Sequence, residues 1–177
     1  MKVIALTGMS GSGKEEFVLQ AKEKGIPVVR MGDVVRNEVS KQKPELTDDN
    51  VGKTANNERE KYGFGIWAKR TVPLVKGDFV IIDGVRGDAE LSVFRKTFGD
   101  DLIVVGVHSS PKTRYERIKK RNRKDATTTW EDFHKRDLRE LSWGIGNAIA
   151  LCDLMIVNEG SLAHFKKEVK KILDILK

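Results

Sequence analysis

Val3-Ile4-Ala5-Leu6-Thr7-Gly8-Met9-Ser10-Gly11-Ser12-Gly13-Lys14 is the stretch that decides the fold. The apolar Val3 to Leu6 run is too short for a typical helix and reads as a buried strand, and the glycines after it bend the chain into a loop. Glycines at 8, 11 and 13 permit backbone conformations that a side chain forbids, so the N–H groups of Gly8, Met9, Ser10, Gly11, Ser12 and Gly13 can converge on phosphate oxygens. The helix expected next aims its positive end at the same point. Lys14 then supplies a mobile ammonium for β- and γ-phosphates, and the G-x-x-x-x-G-K spacing predicts ATP, with Mg2+, as the bound cofactor.

The residue after the lysine, where this motif carries a Ser or Thr hydroxyl for magnesium, is Glu15, followed by Glu16. Two readings stay open: an acid favoured by the helix dipole in a first turn, or a carboxylate helping to hold a hydrated metal. Either way Glu15 weakens the match to GTPase-like switches and motor ATPases more than the match to a kinase.

At 177 residues the chain suits one domain spanning residues 1–177. It has no apolar run approaching the roughly 20 residues needed to cross a bilayer, and it enters a strand at once, so neither a membrane span nor a signal peptide is expected. Cys152 is the single cysteine, which excludes an internal disulfide and a cysteine metal cluster and suits an apolar role in a cytoplasmic protein. His108, His134 and His164 lack ligand spacing and are expected at the surface. Net charge is +7, and eight of the thirteen positions from Lys112 to Lys124 are Lys or Arg, a cluster that wants an anion.

Short Val- and Ile-rich runs at Val3 to Leu6, Pro27 to Val29, Phe79 to Ile82, Leu102 to Val107 and Leu154 to Val157 predict five buried parallel strands. Helical patterns fall between them, at about 13–24, 112–120 and 162–176. The last, capped by Ser161, places Leu162, Phe165, Val169, Ile172, Leu173 and Leu176 on one face. Two polar insertions exceed what a crossover needs: residues 31–77, and a loop at 121–128. After that loop, Thr128-Thr129-Trp130-Glu131 has capping-box spacing, with Trp130, Phe133, Leu138 and Leu141 as an apolar stripe expected to be core. The alternation gives an α/β, three-layer fold.

Phe79-Val80-Ile81-Ile82-Asp83 is a buried strand ending in an acid, and the carboxyl ends of such strands face the ligand crevice, so Asp83 should sit beside Lys14 as a metal-holding or catalytic carboxylate. Met31-Gly32-Asp33-Val34-Val35-Arg36 resembles the acceptor-gripping segment of adenylate kinases and equally an Asp-x-Asp-x-x-x-Arg segment of dephospho-CoA kinases. Asp83-Gly84-Val85-Arg86 resembles the adenylate kinase Asp-Gly-Phe-Pro-Arg, with the arginine one residue early. Arg117 to Arg121 and Arg123-Lys124-Asp125 resemble the arginines entering and lining a short, zinc-free lid, and Arg136-Asp137-Leu138-Arg139 the helix after it. Cys152 to Leu162 resembles the dephospho-CoA kinase ending, in which Asn158 to Gly160 border the donor base.

The whole chain thus resembles P-loop nucleoside monophosphate kinases and dephospho-CoA kinases, and most of all a mainly archaeal group related to adenylate kinase. The resemblance implies a five-stranded parallel sheet in order 2-3-1-4-5, an acceptor-binding helical insertion at about 31–77 and a lid at about 121–128. It implies Lys14, Arg121, Arg123 and Arg136 as charge stabilisers, Asp83 as metal holder, and Arg36 and Arg86 as acceptor-orienting groups. It also implies Asp33 as an acceptor contact or general base, and Asn158 and Gly160 as donor-base contacts. The expected activity is ATP-dependent phosphoryl transfer to a small nucleotide-type acceptor, a nucleoside monophosphate or, alternatively, dephospho-CoA. A nucleotide-dependent RNA or ribosome-assembly ATPase is the rival from another class, supported by a pI of about 9.5; against it, Tyr115 is the lone aromatic in the basic run.

Overall fold

Alternation along the first strand builds two cores at once. β1 (Lys2–Thr7) turns Val3 and Ala5 to one face of the sheet and Ile4 and Leu6 to the other, all four fully buried. The structure, a computed structural model, describes residues 1–42, 47–120 and 129–177. β3 (Phe79–Val85) and β4 (Leu102–His108) flank β1 in parallel, with β2 (Val28–Arg30) outside β3 and β5 (Leu154–Val157) outside β4. The order β2-β3-β1-β4-β5 is the one expected.

On the Ile4 face, α1 (Lys14–Glu23) contributes Phe17, Val18 and Ala21, and α9 (Leu162–Leu176) contributes Phe165, Val169 and Leu173. Leu162, expected on that apolar face, lies exposed in the first turn after the Ser161 cap. On the other face the insertion folds as α2 (Met31–Gln42), α3 (Asp48–Tyr62) and α4 (Ile66–Thr71), and α5 (Asp88–Phe98) and α8 (Ile145–Ala150) complete the layer. Its core includes Val39, Trp67, Leu91, Phe94 and Ala148. Each fully buried side chain of this size contributes about 1.5–3 kcal/mol, so the two apolar layers hold the scaffold.

After β4 come α6 (Pro111–Lys120) and α7 (Trp130–Ser142). The α7 cap falls one residue later than the spacing suggested: Thr129 accepts from the Asp132 N–H at 3.1 Å. Its apolar stripe is also corrected. Leu138 and Leu141 are 52% and 47% exposed and Trp130 is exposed too, whereas the buried positions are Phe133, Asp137 and Glu140. This helix turns acids inward because arginines wait there.

Two details at the strand ends aim side chains at the loop. β2 begins and ends one residue later than expected, which brings Arg30 level with Asp83 of β3. β3 carries a bulge: Leu6 pairs with Asp83 but Thr7 with Val85, leaving Gly84 as the extra residue at φ +94. Thr7 Oγ1 seals it by donating to the Val85 carbonyl at 2.9 Å.

Candidate active site

The loop between β1 and α1 is held by side chains from the ends of β4 and β5 and from α6. Gly8 and Gly13 are required, since at φ +145 and +117 a Cβ would stand 2.3 Å from the Val107 carbonyl oxygen and 2.3 Å from Asn158 Nδ2 respectively. The Ser12 carbonyl accepts from Asn158 Nδ2 at 2.8 Å and from Ser109 Oγ at 3.2 Å. Arg114 donates to the Ser10 carbonyl at 3.1 Å and is itself clamped by Asp137 through two bonds of 2.8 and 2.5 Å. That fork of Arg114 and Asp137 is buried on both sides.

Lys14 folds back over the loop, its ammonium donating to the Gly8 carbonyl and, at 3.1 Å, to the Met9 carbonyl. Burial pushes its pKa down to about 8 against the pull of Glu140 and Asp83. Glu140 is the residue the sequence reading missed. Only 2% exposed, it accepts from Arg86 Nη1 at 2.6 Å, from Arg136 Nε at 3.4 Å and from the Ser10 N–H at 3.3 Å. Burial alone would raise its carboxyl, but Arg86, Arg136 and Lys14 together hold it down at about 2.

Asp83 lies at the expected place. It lines a small cavity with Ser10, Gly11, Gly13, Lys14, Glu15, Arg86 and Glu140. Burial pushes its pKa up, opposed by Lys14 and Arg30. Its Oδ1 is buried without a hydrogen-bond partner in the protein. Arg30 bridges the acids, with Nη2 2.7 Å from Glu15 Oε1 and Nε 3.9 Å from Asp83 Oδ2. Among the described residues no cluster of three or more acid, His or Cys side chains could cage a metal unaided. An orphaned carboxylate oxygen beside the loop and Glu15 fits the way magnesium binds, through one or two carboxylates plus the phosphates it arrives with.

A larger cleft lies between the insertion and the inner end of α7. Arg36, Arg59, Arg86, Arg136 and Arg139 line it, with Trp67 and Trp143. Arg59 is held by buried Glu90 at 3.2 Å and lies 4.6 Å from the Trp143 ring centre. Three of the arginines expected near substrate, Arg36, Arg86 and Arg136, therefore line the same cleft. Asp33 does not join them there: it is 60% exposed, pairs with Arg36 at 2.8 Å and lines none of the clefts described. Arg121 and Arg123 lie outside the described residues.

Across the loop, a second slot is lined by Gly13, Leu19, Arg117, Asn158, Gly160 and Leu162, among others. Asn158 and Gly160 are both at its wall. Asn158 also has a structural duty, since besides holding Ser12 its carbonyl accepts from Ser109 Oγ at 2.6 Å and from Arg117 at 3.0 Å.

Comparison with known proteins agrees with this fold. A family profile described as an AAA domain matches residues 4–139. The UPF0200 protein TK1334 of Thermococcus kodakarensis is 44% identical over 97% of this chain and 96% of its own length, and a UPF0200 protein of Hyperthermus butylicus is 44% identical over 98% and 94%. Among solved structures, TT1252 from Thermus thermophilus aligns at TM-score 0.64 and 17% identity, covering 99% of this chain and 98% of that one. A gluconokinase from Sinorhizobium meliloti aligns at 0.62 and 19% identity, covering 99% and 93%. At such identities the structural likenesses establish the fold, and the relatives establish the family. The chain belongs to the UPF0200 family, its residues 4–139 match an AAA domain, and its fold is the one it shares with the gluconokinase.

Proposed function

We propose that the protein is an ATP-dependent phosphotransferase whose acceptor is a nucleoside monophosphate. One observation carries the reading: Arg86 and Glu140 line both the cavity at the phosphate loop and the arginine-walled cleft, so the two compartments meet at those side chains. A donor γ-phosphate at Lys14 and an acceptor phosphate among Arg36, Arg86 and Arg136 would then face each other.

An acceptor phosphate oxygen attacks the γ-phosphorus, the bond from that phosphorus to the ADP oxygen breaks, and ADP leaves. No general base is needed, because the attacking phosphate is already ionised. Lys14, Arg86 and Arg136 would stabilise the charge spread over the equatorial oxygens, with Arg121 and Arg123 proposed to join from the lid. Asp83, with Glu15, would hold hydrated magnesium, which neutralises donor charge as transfer proceeds. The donor base would lie in the slot beside Arg117, Asn158 and Gly160. Dephospho-CoA would instead require a base at a ribose hydroxyl, and the exposed, Arg36-paired position of Asp33 favours the monophosphate.

The test is a panel of AMP, CMP, UMP, GMP and dephospho-CoA assayed with ATP and magnesium. A monophosphate should give the highest kcat/KM. Turnover of dephospho-CoA alone would reject the acceptor assignment, and turnover of none would reject the kinase reading.

A further inference from the structure

The placement of Glu140 goes beyond any of the expected roles. A buried carboxylate is costly unless cations and hydrogen bonds offset its desolvation, and those that do so for Glu140 stand beside the phosphate loop. Its partners are the groups that a transferring phosphoryl needs: the Ser10 N–H of the loop, Arg86 from the end of β3, and Arg136 from α7, with Lys14 close enough to help hold its charge. Inward aim is built into α7, whose buried Phe133, Asp137 and Glu140 recur at helical spacing. The Asp137 fork to Arg114, which also holds the Ser10 carbonyl, locks the helix to the loop on the turn before.

We infer that the Glu140 carboxylate stands in for the transferable phosphoryl group, keeping Ser10, Arg86 and Arg136 gathered until a phosphate displaces it. The inference rests on reading the loop as a nucleotide site. Glu140 is then a positioning residue. Its carboxylate and an incoming γ-phosphate compete for the same donors, so binding of the donor's phosphates passes Arg86 and Arg136 from Glu140 to the phosphoryl group, at the edge of the cleft where the acceptor phosphate would meet it. A glutamate that only braced the loop would let Ser10 and the arginines loosen on its loss, which weakens binding.

The experiment titrates ATP, and separately inorganic tripolyphosphate, into the wild type and Glu140→Gln by calorimetry, with folding checked by circular dichroism. Glu140→Gln keeps the shape and removes the competing charge. It should bind both ligands about tenfold more tightly, equivalent to about 1.4 kcal/mol. Equal or weaker binding by a folded Glu140→Gln, with the wild type binding normally, would overturn the inference and leave the nucleotide reading intact. No binding to either protein would overturn both.

A second measurement needs no altered glutamate. Arg86 lies 5.6 Å from the Trp143 ring centre, so the Trp143 indole resonance, assigned through Trp143→Phe, should shift when wild-type protein binds tripolyphosphate. An unmoved resonance at saturation would contradict the displacement.

Discussion

The Lys14 ammonium makes nucleotide binding a proton-linked event. In the free site burial depresses its pKa from the ordinary 10.5 to about 8, with Glu140 and Asp83 only partly compensating. Donor β- and γ-phosphates would add negative charge within contact distance and hold the amine protonated across the working range. Binding must therefore take up the proton that the free lysine lacks: about 0.1 per site at pH 7, about 0.5 at pH 8 and about 0.9 at pH 9. Above pH 8 apparent affinity should fall by up to about tenfold per unit. Calorimetry with Mg-ATP in buffers of different ionisation enthalpy measures the uptake directly, and Lys14→Met should abolish it. Uptake that is flat with pH, or proton release, would refute the reasoning. The same shift acts on folding with a definite sign. The native lysine binds protons more weakly than the unfolded one, so the nucleotide-free protein gains stability as pH rises from about 8 toward 10.5.

Other consequences follow from the same contacts. Lys14→Ala should cost about 3 kcal/mol or more of transition-state stabilisation, read from kcat/KM. Asp137→Ala leaves the buried Arg114 guanidinium without its fork, so urea unfolding should report a loss of about 3–5 kcal/mol and ATP binding should weaken as Ser10 loosens. Arg36→Ala should mainly raise the acceptor KM and leave ATP affinity unchanged, which initial-rate kinetics would show. Glu140, held at about 2 against an ordinary 4.5, contributes stability in full above pH 4.5 and loses it as pH falls through about 2, so the urea midpoint should drop across that window.

The strands and the phosphate loop were legible because their signals are local or carried by a familiar spacing, and the sheet order followed from the family resemblance. Val3 to Lys14 announces strand, turn and helix within a dozen residues, and the short Val- and Ile-rich runs mark the other strands. Helix α7 was not legible in the same way. A polarity reading sends Leu138 and Leu141 inward and the acids outward, yet Asp137 and Glu140 are the buried pair because their partners, Arg114 and Arg86, come from distant elements. Phe133, Asp137 and Glu140 do recur at helical spacing, and counting acids as candidate inward residues beside a basic site would have found them. Arg30 was hidden for a different reason: its contact with Asp83 depends on the parallel register of β2 and β3, which composition does not encode. Asn158 was read as a base contact, and its tie to the Ser12 carbonyl needed the loop and the β5 end in three dimensions.

Tracing the terminal phosphate of labelled ATP tests the central claim most directly. With magnesium and a mixture of nucleoside monophosphates, the account predicts that label moves from ATP into a nucleoside diphosphate, that the Lys14→Ala protein moves little of it, and that release as inorganic phosphate is minor. Label appearing only as inorganic phosphate, at a rate indifferent to every acceptor, would contradict it.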